Sequence, residues 1–135
     1  MVFTPDLAIT SQRVMTSYGE RPAAILIRGE KILDVVSKQD IPSDCPVEDM
    51  ANDVVMPGLV DTHVHINEPG RTDWEGFETA TKAAAAGGIT TLVDMPLNCI
   101  PVTTTIDALN QKIAATKNQL WIDCGFYGGL IPDNI

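Results

Sequence analysis

Apolar and polar positions alternate in short blocks over residues 1–55 and change to a longer period beyond them. Leu7-Ala8-Ile9 and Arg13-Val14-Met15-Thr16 read as two brief strands, followed by the polar turn Tyr18-Gly19-Glu20-Arg21-Pro22. Residues 23–28 and 31–36 are apolar-rich runs on either side of Gly29-Glu30, the pattern of a β-hairpin with a tight glycine turn. Residues 39–52, carrying Pro42, Ser43, Asp44 and Pro46, read as a loop, and residues 53–56 as one more strand before the Pro57-Gly58 break. These front residues predict a small β-sheet with no chemistry of its own.

Past the break, residues 59–65 form a strand candidate. Thr72 and Glu75 stand at capping-box spacing, and Phe77, Ala80, Thr81 and Ala84 make an i, i+3, i+4, i+7 stripe that suits a helix lying on a sheet. Gly87-Gly88 falls where a left-handed C-terminal glycine is expected. Residues 90–93 are a short β-branched strand closing on Asp94-Met95-Pro96-Leu97-Asn98. A second helix is predicted from near Thr105, with Thr104 and Asp107 as capping partners, through Ile106, Leu109 and Ile113 to about residue 118. Residues 120–126 give a third strand. Strand, helix, strand, helix, strand with short connections predicts a parallel α/β layout.

In the first of these strands, alternation sends Asp61, His63 and His65 to one face and Val60, Thr62 and Val64 to the other. Two imidazoles two residues apart on one face can ligate a single cation, and neutral imidazole is a good zinc ligand. His63 and His65 are also the only two histidines in the chain.

Composition narrows the partners. The net charge is −9 with dispersed acidic residues, which disfavours nucleic acid and anionic membrane, since both need clustered Lys and Arg. Cys45, Cys99 and Cys124 lie far apart and are odd in number, as suits packing residues in a reducing compartment. The first twenty residues include Pro5, Asp6, Arg13 and Glu20 and no continuous apolar export segment, and no apolar run is long enough to span a bilayer. The expected location is intracellular and cytoplasmic, with peroxisomal or mitochondrial targeting left open.

The stretch Pro57-Gly58-Leu59-Val60-Asp61-Thr62-His63-Val64-His65, followed by Glu68-Pro69-Gly70, resembles the D-x-H-x-H signature of the first barrel strand in the amidohydrolase superfamily. The resemblance implies an α/β fold: the start of a (β/α)8 metal-dependent hydrolase barrel preceded by part of a small β-sandwich. Residues 1–55 would be the N-terminal half of that sandwich and residues 56–135 the first βα units of an incomplete barrel. A complete barrel takes roughly 200–250 residues, so the chain reads as the front part of a larger protein. Strand edges that lack their partners would then favour poor solubility or association.

Asn67-Glu68-Pro69-Gly70-Arg71, Trp74-Glu75-Gly76, Ala86-Gly87-Gly88-Ile89-Thr90-Thr91, Met95-Pro96-Leu97-Asn98 and Gly125-Phe126-Tyr127-Gly128-Gly129 place the resemblance in the cyclic amidohydrolase branch, and within it nearest the allantoinases. Dihydroorotases usually carry an arginine just before E-P-G, and M-P-N-T later. Here Asn67 and Leu97 stand in those places, which favours an uncharged ureide ring.

That likeness implies zinc-dependent opening of a cyclic amide, allantoin to allantoate in purine catabolism, with two zinc ions per complete site and a homo-oligomeric, tetrameric whole protein. His63 and His65 would be metal ligands. Asp61 would be an anchor behind them or a plain strand carboxylate capping a loop. Asn98 would hydrogen-bond a ring amide or be an ordinary turn residue, and Arg71 reads as a loop ion-pair partner rather than a substrate contact. The bridging carboxylated lysine, two further histidines and the catalytic aspartate fall on later strands, so no catalytic residue is expected within this chain, which should be inactive alone. Lys82, Lys112 and Lys117 lie on predicted helices and are set aside as substitutes. The alternatives are a hydantoinase- or dihydropyrimidinase-like enzyme, a dihydroorotase, or a non-catalytic remnant or structural relative.

Overall fold

The computed structural model describes residues 4–135, in two compact units that divide at Pro57 and Gly58. The unit up to Pro57 is a five-stranded sheet, three of its strands antiparallel and consecutive in the chain and two short ones added in parallel beside the first. Strands β1 (Leu7–Thr16), β2 (Gly19–Arg28) and β3 (Lys31–Val36) are antiparallel neighbours, and Gly29 in the β2–β3 turn has φ +55°. Instead of two short strands, β1 is one continuous strand of ten residues. A register shift between Ser11 and Val14 absorbs the polar interruption. The Ser11 hydroxyl turns onto the backbone there, donating to the Asp53 carbonyl at 2.5 Å and accepting from the Arg13 N–H.

Residues 39–52, expected as a loop, begin inside a 3-10 turn at Lys38–Asp40 and contain the strand β4 (Val47–Asp49), parallel to β1. Polar bonds rather than apolar alternation hold β4 in place. Asp49 accepts from the Thr10 hydroxyl at 2.9 Å, Lys38 Nζ at 2.8 Å and the Ala51 N–H at 3.1 Å. Those bonds hold the Asp49 carboxyl down at about 2, the Lys38 bond contributing most. The core of this sheet is small: Ala8, Leu26 and Cys45 pack with Val36 and Ile41. β5 (Val54–Val55) also runs parallel to β1.

From Gly58 onward the chain forms a three-stranded parallel sheet in the order β6 (Leu59–Val64), β7 (Ile89–Asp94), β8 (Asp123–Phe126). The crossovers carry α1 (Phe77–Ala86) and α2 (Ile106–Ala115), the layout read from the sequence. Gly58 leads into β6 so close to Thr90 that a Cβ there would lie 2.1 Å from its methyl group. The core gathers Ile66, Phe77, Ala80 and Leu92, with Val64, Ala84, Cys124 and Phe126 against it. The Phe77 and Phe126 rings meet edge-to-face at 6.0 Å. Among the described residues β6 pairs with β7 alone, and Leu59 and Val60 are 51% and 61% exposed.

The stripe Phe77, Ala80, Thr81 is buried as the period requires, but the start of α1 differs from the capping-box expectation. The helix begins at Phe77 behind Gly76, and neither Thr72 nor Glu75 caps it. Glu68, nine residues earlier and buried, accepts the Phe77 N–H at 2.9 Å and takes a 3.3 Å bond from Gln119 Nε2. A carboxylate at a helix N-terminus also meets the positive end of the dipole. Glu68→Ala is therefore expected to cost about 1–2 kcal/mol in urea unfolding, and Glu68→Gln, which keeps an acceptor oxygen, less than half of that.

At the other end of α1, Gly88 turns with φ +82°. In α2 the capping residue is Thr105, whose hydroxyl accepts the Ala108 N–H at 3.1 Å, rather than Thr104. That helix stops at Ala115, short of residue 118, and Asn118 adopts φ +63° in the turn. β8 starts later than residue 120 because the Trp121 N–H bonds the Thr81 hydroxyl of α1, and pairing to β7 begins only at Asp123. No helix among the described residues is long and apolar enough to cross a membrane.

Candidate metal site

β6 delivers His63 on the strand and His65 one residue beyond its end. Their ring centroids are 5.2 Å apart with planes tilted by 55°. His63 is exposed and His65 half-buried. The β6–β7 ladder breaks between Asp61 and Val64, where the Asp61 carboxylate folds back to accept the backbone N–H of His63 at 3.0 Å. Asp61 thus touches the backbone of His63 rather than an imidazole.

His65 Nδ1 is buried with no hydrogen-bond partner. A buried nitrogen left without a donor or acceptor is costly, and a cation is the partner that neutral imidazole nitrogen accommodates. His63 and His65 therefore fit a metal ion. Among the described residues no group of three or more His, Cys, Asp or Glu side chains gathers at one point, so these residues supply two imidazoles.

The peptide groups on both sides of His65 are tied to the end of β7. The Met95 N–H donates to the Val64 carbonyl at 2.7 Å, and the Ile66 N–H donates to Asp94 Oδ1 at 2.7 Å. Asp94 Oδ2 accepts from Lys112 Nζ at 2.5 Å, and that ammonium also reaches the Met95 carbonyl at 3.2 Å. Asp94 and Lys112 are both wholly buried. Burial pushes the Asp94 carboxyl above the usual range, while the bonds from Lys112 and Ile66 pull it back. Sequence reasoning set Lys112 aside as a helix lysine. The missed signal is its place in α2, four residues after the buried Ala108, on the stripe that faces the sheet.

A cavity of about 550 Å³ opens beside His63, within the roughly 300–1,000 Å³ of small-molecule sites. Thr62, Met95, Pro96, Leu97, Tyr127 and Leu130 line it, from the carboxyl ends of all three parallel strands. A second hollow, of about 510 Å³, lies in the unit up to Pro57 against Tyr18, Arg21, Ile32 and Asp34, and no histidine lines it. Asn98 is exposed in the turn after Leu97 with φ +68° and is not among the residues lining the His63 cavity. Arg71 lies over the Trp74 ring at 4.9 Å, a cation–π contact in place of the expected ion pair. The cysteines are free thiols, Cys45 and Cys99 buried, and burial pushes the Cys124 thiol up to about 11, which removes it as a nucleophile.

Two imidazoles at the carboxyl end of a parallel strand, beside a cavity framed by the next strand ends, lie where βα-barrel enzymes place their chemistry. The chain belongs to the amidohydrolase family, whose model matches residues 54–133. Metal dependence is typical of that family. The chain is 53% identical over 131 residues to an allantoinase of Streptomyces avermitilis, covering 96% of this chain and 29% of the relative. A mitochondrial allantoinase of Aquarana catesbeiana is 48% identical, over 93% of this chain and 26% of its own length. Among solved structures, the L-hydantoinase (dihydropyrimidinase) of Arthrobacter aurescens superposes with TM-score 0.82 at 34% identity, covering 96% of this chain and 29% of that one. The chain thus spans less than a third of these relatives, and its parallel sheet with α1 and α2 is the opening of their (β/α)8 barrel.

Proposed function

We propose that this chain supplies the metal-binding opening of a zinc-dependent cyclic amidohydrolase that converts allantoin to allantoate. The observation that carries the reading is the buried, partnerless Nδ1 of His65 beside His63, in a chain 53% identical to a named allantoinase. His63 and His65 would hold the ion, which when bound supplies Lewis-acid polarisation of the scissile amide. Asp61 fixes the backbone of His63. The apolar walls from Met95, Pro96 and Leu97 receive the uncharged ring and limit water around it. The remaining ligands and the proton-transferring group come from outside the described residues, as does the second half of a β-sandwich that residues 1–55 begin. The free thiols suit a reducing compartment, with the cytoplasm, the peroxisome and the mitochondrion all open.

The test is a chimera in which this chain replaces the matching 131 residues of the Streptomyces avermitilis allantoinase. Zinc-dependent opening of allantoin, with little turnover of hydantoin, dihydrouracil or dihydroorotate, is the expected result, while the 135-residue chain alone turns over none of them. The structural likeness to an L-hydantoinase favours a second reading, and preference of the chimera for hydantoin would establish it.

Asn98 is proposed to hydrogen-bond a ring amide from the turn that follows Leu97 of the cavity wall. Glycine tolerates its φ of +68°. In the chimera, Asn98→Gly should therefore raise KM about fivefold, the worth of one neutral hydrogen bond, with no loss of folding. An unchanged KM would leave Asn98 as a turn residue only.

A further inference from the structure

We propose that Asp94 and Lys112 act together as a positioning pair for His65, setting the place of its imidazole by clamping the backbone on both sides of it; this rests on the metal reading above. The clamp has two points. Met95 N–H holds the Val64 carbonyl before His65, and Asp94 Oδ1 holds the Ile66 N–H after it. Residues 94 and 95 thus grip both peptide groups flanking His65. The second oxygen of Asp94 is occupied by Lys112 Nζ, which also bonds the Met95 carbonyl, so one ammonium ties both clamping residues to α2.

The feature calls for an explanation because it is costly. Lys112 and Asp94 are 1% and 0% exposed at their side chains, and an ion pair taken wholly out of water gives little net stability over an apolar pair of similar shape. A hydrophobic pair would fill the space between α2 and β7 as well. What an apolar pair cannot supply is an acceptor for the Ile66 N–H. The outcome of the charged pair is therefore a fixed direction for the chain immediately after His65, whose Nδ1 is itself left without a protein partner. A loose ligand loses metal affinity, and disturbing the groups that orient ligands typically weakens binding about 10- to 100-fold.

The experiment titrates the 135-residue chain with zinc ion and follows the imidazole nitrogens of His63 and His65 by NMR. In the wild-type chain both sets of resonances respond together. The double variant Asp94→Leu with Lys112→Met carries no buried charge and should keep its helical signal and cooperative melting, yet need at least about tenfold more zinc. Asp94→Asn with Lys112→Met restores an oxygen for the Ile66 N–H without the ammonium and should recover most of that affinity. The remaining shortfall of about threefold is the share of Lys112, whereas no recovery overturns the role of the Asp94 oxygen. Unchanged zinc affinity in the folded Leu/Met variant overturns the positioning role and leaves the metal site standing. No response of either imidazole to zinc in the wild type overturns both. A measurement without variants guards against misfolding: hydrogen exchange of the wild-type Ile66 amide should be slow, and exchange as fast as in an open loop overturns the clamp.

Discussion

Lys112→Ala is expected to destabilise the chain by about 3–5 kcal/mol, the usual effect of removing one member of a buried ion pair. The Asp94 carboxylate would then sit wholly buried with the Ile66 N–H as its remaining donor. Set against a total of about 5–15 kcal/mol for a domain, the loss is large. It should appear as a fall in melting temperature of about 10 °C or more. The pH dependence gives a second signature. Burial already raises the Asp94 carboxyl in the folded state, and loss of the ammonium raises it further. A carboxyl raised on folding binds its proton more readily in the native state, so stability falls as pH rises through the window above the ordinary carboxylate value. The deficit of Lys112→Ala should thus be small near pH 4 and grow toward neutrality. Urea melts of wild type and variant across that range check it, and a deficit independent of pH would show that lost packing, not the stranded charge, is the cause.

His65→Ala separates function from folding in the opposite sense. In the chimera it should lower allantoin hydrolysis by more than about 100-fold, beyond the effect of losing a group that merely orients a ligand, together with loss of bound zinc by elemental analysis. The metal-free chain should be nearly as stable as wild type. The variant removes a buried nitrogen with no partner, whose burial costs about 1–3 kcal/mol, and this offsets the packing lost with the ring. His63→Ala should match it in activity with still less effect on stability, because His63 is exposed. A His65→Ala chain that binds zinc normally would remove His65 from the ligand set.

Legibility in the sequence followed the range of the interactions. His63 and His65 share a period-two strand, and the stripe through Phe77, Ala80 and Thr81 is a local helical period, so both could be read from neighbouring letters. The bonds that place the site are not local. Glu68 caps a helix nine residues on, Asp49 secures β4 by accepting from Thr10 on β1, and Lys112 meets Asp94 across a whole crossover. A charged residue on an apolar helical stripe normally reads as an interruption. Only the fold shows that its partner waits at the end of the strand beneath. The single strand β1 escaped for a related reason: a bulge lets polar Ser11 and Gln12 sit inside a continuous ladder, where alternation alone sees a gap.

The unpaired edge of β6, whose Leu59 and Val60 are exposed, has a consequence during synthesis. In a barrel the first strand closes against the last, so its neighbour on that side is made at the end of translation. In relatives of which this chain spans less than a third, synthesis at about 5–20 residues per second leaves such a margin bare for roughly ten seconds or more. Through such an interval a nascent chain presents an unpaired apolar strand. Holdase chaperones that recognise short extended apolar segments should therefore engage it at Leu59–Val64, and ribosome profiling of chaperone-bound nascent chains should place their arrival soon after β6 leaves the exit tunnel.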